Sequence, residues 1–174
     1  TSLEPLTLTD PLTQIANRRA FDQRLTFEMD AHARSGLPLA LLLLDVDYFK
    51  LYNDTYGHPA GDLALKFLGE ILRQTASRPS DLPARLGGEE FALLLPNTDL
   101  EGAEALARRL FDRLREHNIP HACSLVANYL TVSIGGTTAS NESLEAFVAR
   151  ADSAVYQSKS GGRNQLTLLA PGQQ

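Results

Sequence analysis

The feature that most restricts this chain is an apolar run, Leu39-Ala40-Leu41-Leu42-Leu43-Leu44, that stops abruptly at Asp45-Val46-Asp47. A strand with one wet face alternates polar and apolar residues. This run offers water no position at all, so it predicts a strand buried on both faces. Such a strand needs helices above and below it, which makes the chain an α/β protein and sets two acids at a carboxyl strand end, where α/β folds place ligands. Counted from Leu37, with Pro38 inside it, the run is the longest apolar stretch and falls far short of the roughly 20 residues that cross a bilayer.

Around this strand the periodicities can be placed. Asp10-Pro11-Leu12-Thr13 is a helix or turn entry, and Phe21, Leu25 and Met29 predict an amphipathic helix over Arg18–Ala33, broken by Ser35-Gly36. Gly57 to Asp62 reads as a loop and helix start with Asp62 near the N-terminus, followed by Leu63, Phe67, Leu68, Ile71 and Leu72 at helical spacing. After Arg78-Pro79-Ser80-Asp81 come a short strand to Leu86, a Gly87-Gly88 turn and a returning strand Phe91–Leu95. A helix over Asp99–Glu116 with Ala105, Leu106, Leu110 and Leu114 inward, a strand Leu130–Ile134, a helix Ser143–Lys159 and a strand Gln165–Leu169 complete the pattern. The order α-β-α-β-β-α-β-α-β predicts an α/β sandwich with helical crossovers and one central hairpin. The 174 residues suit one domain, expected over 9–169, with 1–8 a linker or the end of an upstream helix and 170–174 a disordered tail.

Charge and cysteine content narrow the function classes. Lys and Arg number 16 against 21 Asp and Glu, a net charge of −5 that argues against a nucleic-acid coat or a basic membrane-binding surface. Cys123 is the single cysteine, so no intramolecular disulfide forms, a zinc cluster is disfavoured, and a reducing, cytoplasmic setting is expected. His32, His58, His117 and His121 are scattered without metal-ligand spacing. The sequence opens Thr1-Ser2-Leu3 without a signal peptide and reads as a piece of a longer protein whose sensor or anchor lies elsewhere.

Three constellations carry chemistry. Asp45 and Asp47 at the strand end, with Glu89 and Glu90 at the hairpin tip, would form a Mg²⁺ site open to phosphate oxygens if the two strands are neighbours; acids also end strands because strand ends are wet. Lys50, Lys159 and Arg163 could converge on a polyphosphate, although Lys159 also suits a helix C-terminus with Gly161 just past it. Asn53 and Asp62 offer the donor and acceptor pattern of a guanine edge, while Asn53-Asp54 equally suits a turn and Asp62 a helix N-cap.

Seven segments taken in order decide between these alternatives. They are Asp10-Pro-Leu-Thr-Gln-Ile-Ala-Asn-Arg-Arg19, Asp45-Val-Asp-Tyr-Phe-Lys50, Asn53-Asp-Thr-Tyr-Gly-His58 with Gly61-Asp62, Arg85-Leu-Gly-Gly-Glu-Glu-Phe91, Thr131-Val-Ser-Ile-Gly135, Ala151-Asp-Ser-Ala-Val-Tyr156 through Lys159, and Gly162-Arg-Asn164. Together they resemble the GGDEF family of diguanylate cyclases in its GGEEF form, over nearly the whole chain. The resemblance implies a palm-like fold, of the ferredoxin-like or nucleotidyl-cyclase-like kind, with a central, mostly antiparallel sheet flanked by helices. It also implies conversion of two GTP to cyclic di-GMP and two diphosphates, in a homodimer under an upstream sensor or regulatory domain. Asp45, the Val46 carbonyl and Glu89 would hold Mg²⁺, with Mn²⁺ as a substitute, and Glu89 would assist deprotonation of the attacking 3′-hydroxyl. Asn53 and Asp62 would read guanine; Lys50, Lys159, Arg163 and the backbone at Tyr48 and Phe49 would hold the triphosphate, and Gly87 and Gly88 would leave room for the nucleotide. Arg78 and Asp81 fall at the spacing of the family's inhibitory product site. Gln14 stands where the family usually has Gly, Tyr48 where His is frequent, and Gln157-Ser158 where a small pair with Ala is common. The alternative is a silent GGDEF module that binds GTP or cyclic di-GMP without turnover.

Overall fold

In the computed structural model, which describes residues 7–173, the apolar run is strand β1 (Leu39–Val46), in the middle of a five-stranded sheet ordered β2-β3-β1-β4-β5. Its neighbours are β3 (Glu90–Pro96) and β4 (Val132–Thr138), both antiparallel to it. β2 (Leu82–Gly87) pairs antiparallel with β3, and β5 (Leu166–Leu169) is the one parallel partner, on β4. Helices α1 (Arg18–Ser35), α2 (Phe49–Tyr56), α3 (His58–Thr75), α4 (Leu100–His117) and α5 (Leu144–Ser160) cover the two faces. This is the palm-like sandwich expected from the sequence.

Alternation along β1 divides the core. Ala40, Leu42, Leu44 and Val46 pack against Leu68, Ile71 and Leu72 of α3 and Leu110 of α4. Leu39, Leu41 and Leu43 pack against Phe21 and Leu25 of α1 and Phe147 and Ala151 of α5. Each fully buried leucine contributes about 1.5–3 kcal/mol by leaving water, so the strand that lacks a polar face is the one that both layers need. Helix starts are set by side-chain caps: Asn17 accepts from Ala20 N–H, Asp99 from Gly102 N–H and Ser143 from Ala146 N–H.

Several elements differ from expectation. Phe49–Tyr56 is a helix, so Asn53 lies in its last turn and not in a loop. α3 begins at His58 with Gly57 as its cap, which removes Asp62 from the N-cap position. Leu63 and Phe67 are exposed, because the buried stripe of α3 runs through Ala64, Leu65, Leu68, Ile71 and Leu72; Phe67 instead meets His117 edge-on at 5.6 Å. Ala105 is exposed as well, since the Asp99 cap phases α4 to bury Ala103, Leu106, Ala107, Leu110 and Leu114. β4 extends to Thr138, well past Ile134, because Gly135-Gly136 keep pairing with Leu43 and Leu42. Gly161 closes α5 at φ −81°, and the left-handed residues come later, at Gly162, Arg163 and Asn164.

Thr1 to Leu6 of the expected linker lie outside the described residues. Thr7 and Leu8 carbonyls accept from the Asn17 side chain and N–H, and after β5 the Gln173 N–H turns back to Ala170 O. No described helix is long and apolar enough to cross a membrane.

Candidate active site

The β1–β3 ladder brings the strand-end acids together. Asp45 stands opposite Glu90, and Val46 N–H donates to Glu89 O at 3.2 Å. By strand alternation Asp45 shares the face of Leu41 and Leu43, the face that α5 covers. There Lys159, in the last turn of α5, places Nζ 2.5 Å from Asp45 Oδ2. A hollow of about 170 Å³ opens beside this pair, bordered by Glu90, Asp152 and Tyr156. Burial raises the Asp152 carboxyl above its ordinary value, against a smaller opposing effect of Arg18.

The hairpin tip is held from behind. Gly87 and Gly88 have φ of +140° and +51°, and a Cβ on either would meet nothing within 4 Å, so protein crowding does not demand glycine there and the backbone conformation does. Arg85 Nε donates to Gly88 O at 3.0 Å, while Arg85 Nη1 reaches Asp10 Oδ1 at 3.2 Å. Burial alone would raise the Asp10 carboxyl; the Thr13 hydroxyl and N–H, at 2.7 and 2.9 Å, together with Arg85, outweigh it and hold the group below its ordinary value. Gln14, in the same turn, has φ +64°, a conformation that glycine adopts without cost.

Asp47 plays a different part from Asp45. It is buried, accepts from Thr131 Oγ1 at 2.7 Å, Ser133 Oγ at 2.6 Å and Asn164 N–H at 3.0 Å, and so knots the end of β1 to β4 and to the loop after α5. That loop carries Arg163, whose guanidinium lies 4.8 Å from the centre of the Tyr48 ring. The sequence alone missed this role because two acids spaced by one residue read alike. The structure separates them: β1 ends at Val46, and Asp47 lies just beyond it.

Tyr48 caps α2 from a left-handed conformation, φ +54°, with no side-chain hydrogen bond to the helix start. Phe49 and Lys50 form the first turn; Lys50 is exposed and pairs with Asp54 at 3.5 Å. The Gly57 junction folds α3 back so that Gly61 passes directly over Asn53, where a Cβ would fall 1.8 Å from Asn53 Oδ1. This oxygen is buried without a hydrogen-bond partner, and exposed Asp62 directly follows Gly61 on α3. An unpaired buried amide oxygen costs about 1–3 kcal/mol unless a ligand supplies the donor.

Arg78 and Asp81 lie at the other end of the sheet. Asp81 is buried, and Arg78 Nη2 reaches its Oδ1 at 3.2 Å, Pro96 O at 2.8 Å and the Thr98 hydroxyl. Together with Gly102 and Arg109 they border a hollow of about 450 Å³.

Asp45, Glu89 and the Val46 carbonyl offer hard oxygens near this strand end, where Asp45 pairs with the Lys159 ammonium. Among the described residues no three His, Cys, Asp or Glu side chains gather as a complete metal shell. The set therefore fits a Mg²⁺-type ion that arrives with phosphate or water oxygens of its own.

The family profile described as diguanylate cyclase, GGDEF domain, matches residues 7–165. The diguanylate cyclase DgcP of Pseudomonas aeruginosa is 43% identical over 92% of this chain and 24% of its own length. The chain spans about a quarter to under half the length of the curated relatives it matches first. Among solved structures, the GGDEF domain of DgcB from Caulobacter crescentus in complex with c-di-GMP superposes with a TM-score of 0.85, at 32% identity, covering 96% of this chain and 98% of that one. The active GGEEF domain of a diguanylate cyclase from Vibrio cholerae gives 0.80 at 30% identity, covering 89% and 97%.

Proposed function

From the premise that the chain belongs to the GGDEF family of diguanylate cyclase domains, we propose that it converts two GTP into cyclic di-GMP and two diphosphates, each domain of a homodimer presenting one GTP. The observation that carries this reading is the β1–β3 register, which sets Asp45 and Val46 beside the Glu89-Glu90 pair. In each of two equivalent steps a 3′-oxygen bonds to the partner nucleotide's α-phosphorus, the bond from that phosphorus to diphosphate breaks, and the hydroxyl proton is lost. Glu89 assists that proton's removal.

Asp45, Glu89 and the Val46 carbonyl would hold Mg²⁺ or Mn²⁺, which when bound would offset negative charge on the α-phosphate and departing diphosphate. Lys159, already beside Asp45, and Arg163, braced on Tyr48, are within the same strand-end cluster and suit triphosphate oxygens. Lys50 and the uncapped N–H groups after Tyr48 extend that cradle. Asn53 Oδ1 and Asp62 accept from the guanine N1–H and amine, which adenine cannot match.

One domain has acids and bases for one GTP, so two must face each other for reaction, and positioning supplies most of the acceleration. Product bound at Arg78 and Asp81 inhibits by holding two domains in an orientation that keeps their GTPs apart. The setting is cytoplasmic, with an upstream sensor or regulatory domain controlling the pairing; neither nucleic acid nor direct membrane contact enters the reading.

The test is to follow cyclic di-GMP and diphosphate from GTP and Mg²⁺ across protein dilution, with sedimentation to monitor association. A rate per chain that rises as monomers associate supports half-sites. A flat specific activity across that association range overturns them. Bound GTP without product, even when a fused coiled coil forces pairing, would make this a silent nucleotide-binding module.

A further inference from the structure

No motif marks residues 118–130, which with Thr131 connect α4 to β4, yet this connection grips the loop after β1 and the end of α2 at three points. Asp47 N–H donates to Thr131 O at 2.9 Å, Ala122 N–H donates to the Tyr56 hydroxyl at 2.9 Å, and His121 Nε2 lies 3.1 Å from Tyr48 O. His121 has no solvent exposure and stands edge-on to Tyr52, with ring centres 5.2 Å apart at 89°. A carbonyl only accepts, so Nε2 carries the hydrogen, and Nδ1 is left buried with no partner.

That arrangement is poor for stability alone. Phenylalanine would fill the same aromatic space against Tyr52 without an orphaned nitrogen. What phenylalanine could not supply is the Nε2 donor. Tyr48 O already accepts the first bond of α2, from Tyr52 N–H at 3.0 Å, and His121 gives it a second. Tyr48 is also a bulky residue held at positive φ, a conformation that surrounding structure must enforce.

We propose that His121 is a positioning residue for triphosphate binding. Its Nε2–H fixes the Tyr48 carbonyl, and with it the left-handed turn that aims the first N–H groups of α2 and sets the Tyr48 ring under Arg163. This rests on the reading of residues 48–50 as the phosphate cradle.

The experiment compares His121→Phe, His121→Gln and His121→Asn in the whole chain. Gln places an amide nitrogen near the Nε2 position, whereas the Asn amide stops at the Nδ1 position. Three quantities are read: affinity for the non-reacting probe α,β-methylene-GTP with Mg²⁺, affinity for guanosine, and hydrogen exchange of the amides of residues 49–52 in the free chain. Loss of one hydrogen bond to the loop predicts for His121→Phe about tenfold weaker binding of the triphosphate probe and about tenfold faster exchange at 49–52. Guanosine affinity and melting temperature stay at wild-type levels or above. His121→Gln recovers most of both losses and His121→Asn does not.

Wild-type probe binding and exchange in His121→Phe overturn the proposal. So does parallel weakening of probe and guanosine together with a lower melting temperature, which marks a general structural role. If His121→Phe fails to fold, equal losses in the Gln and Asn variants overturn it, and a Gln–Asn difference upholds it. If the wild-type chain itself binds no probe, the cradle reading falls and triphosphate positioning falls with it; exchange at 49–52 then shows whether His121 still braces the loop.

Discussion

The two ends of the central sheet carry charge in opposite ways. At the Asp45 end one buried anchor, Asp47, ties β1, β4 and the loop after α5 together, Asn53 Oδ1 is left without a partner, and Lys159 pairs with Asp45 alone. At the other end, seven residues along β3 and about 20 Å away, Arg78 is satisfied by Asp81, Pro96 O and Thr98 within its own chain. On the proposed reading, nucleotide and metal complete the first end. The second is latched, so a ligand there must share or displace bonds already made. The proposed function assigns chemistry to the first end and reversible regulation to the second, and the contrast in bonding is what that assignment predicts.

The sharpest test of this contrast is removal of the acids. Glu89→Gln and Asp45→Asn are expected to lower turnover by at least about 10³-fold; the thermal unfolding midpoint stays near that of the wild type for Glu89→Gln, while Asp45→Asn also weakens the pair with Lys159 and unfolds slightly earlier. Turnover close to wild type in either variant would erase the distinction between the ends. Next comes the anchor. Asp47→Asn leaves an amide among three donors and should cost about 2–4 kcal/mol in denaturant unfolding; a change under about 0.5 kcal/mol would mean that Asp47 does not hold the site together.

The latched end should respond more mildly. Arg78→Ala is expected to raise the product concentration needed for half inhibition by about tenfold or more, read as the rate with added cyclic di-GMP relative to the rate without it. Unchanged inhibition would remove regulation from this end. The smallest effect is electrostatic and sharpens the picture near the same end, where Arg150 bonds hold the Glu142 carboxyl below its ordinary 4.5. A depressed carboxylate gives its full stabilisation above pH 4.5 and loses it as pH falls through the lower folded value. Denaturant unfolding of Glu142→Gln should therefore show a flatter fall in stability below pH 4.5 than the wild type, by less than about 1 kcal/mol. Identical slopes would assign the acid sensitivity elsewhere, to Asp10 in the first instance.

Much of this was legible in advance. The unbroken apolarity of Leu39–Leu44 required a doubly covered strand, and glycines at 87 and 88 required a tight turn, because each feature is local and leaves few conformations. The exposed Leu63, Phe67 and Ala105 were not legible, since helix phase depends on where the caps fall and two adjacent apolar stripes look alike until one is packed. α2 was missed for a related reason: Phe49–Tyr56 is short and its Asn53-Asp54 pair competes with helix, so its stability comes from Tyr52 buried against neighbouring elements. Among the site residues, ordered motifs identified Asp45, Glu89, Asn53, Asp62, Lys159 and Arg163 as candidates, but said nothing of how they are held.

By itself the sequence determined the buried strand, the order of the five strands and of four of the five described helices, the hairpin and the chemical types clustered near the strand end, because periodicity, turn chemistry and charge are written residue by residue. Only the tertiary structure decided that Asp45 faces Lys159 while Asp47 is buried as an anchor, that Gly61 presses on Asn53, that Arg78 is latched, and that His121 braces Tyr48. Those are relations between residues distant in the chain, fixed by strand register and helix packing, and no local pattern encodes them.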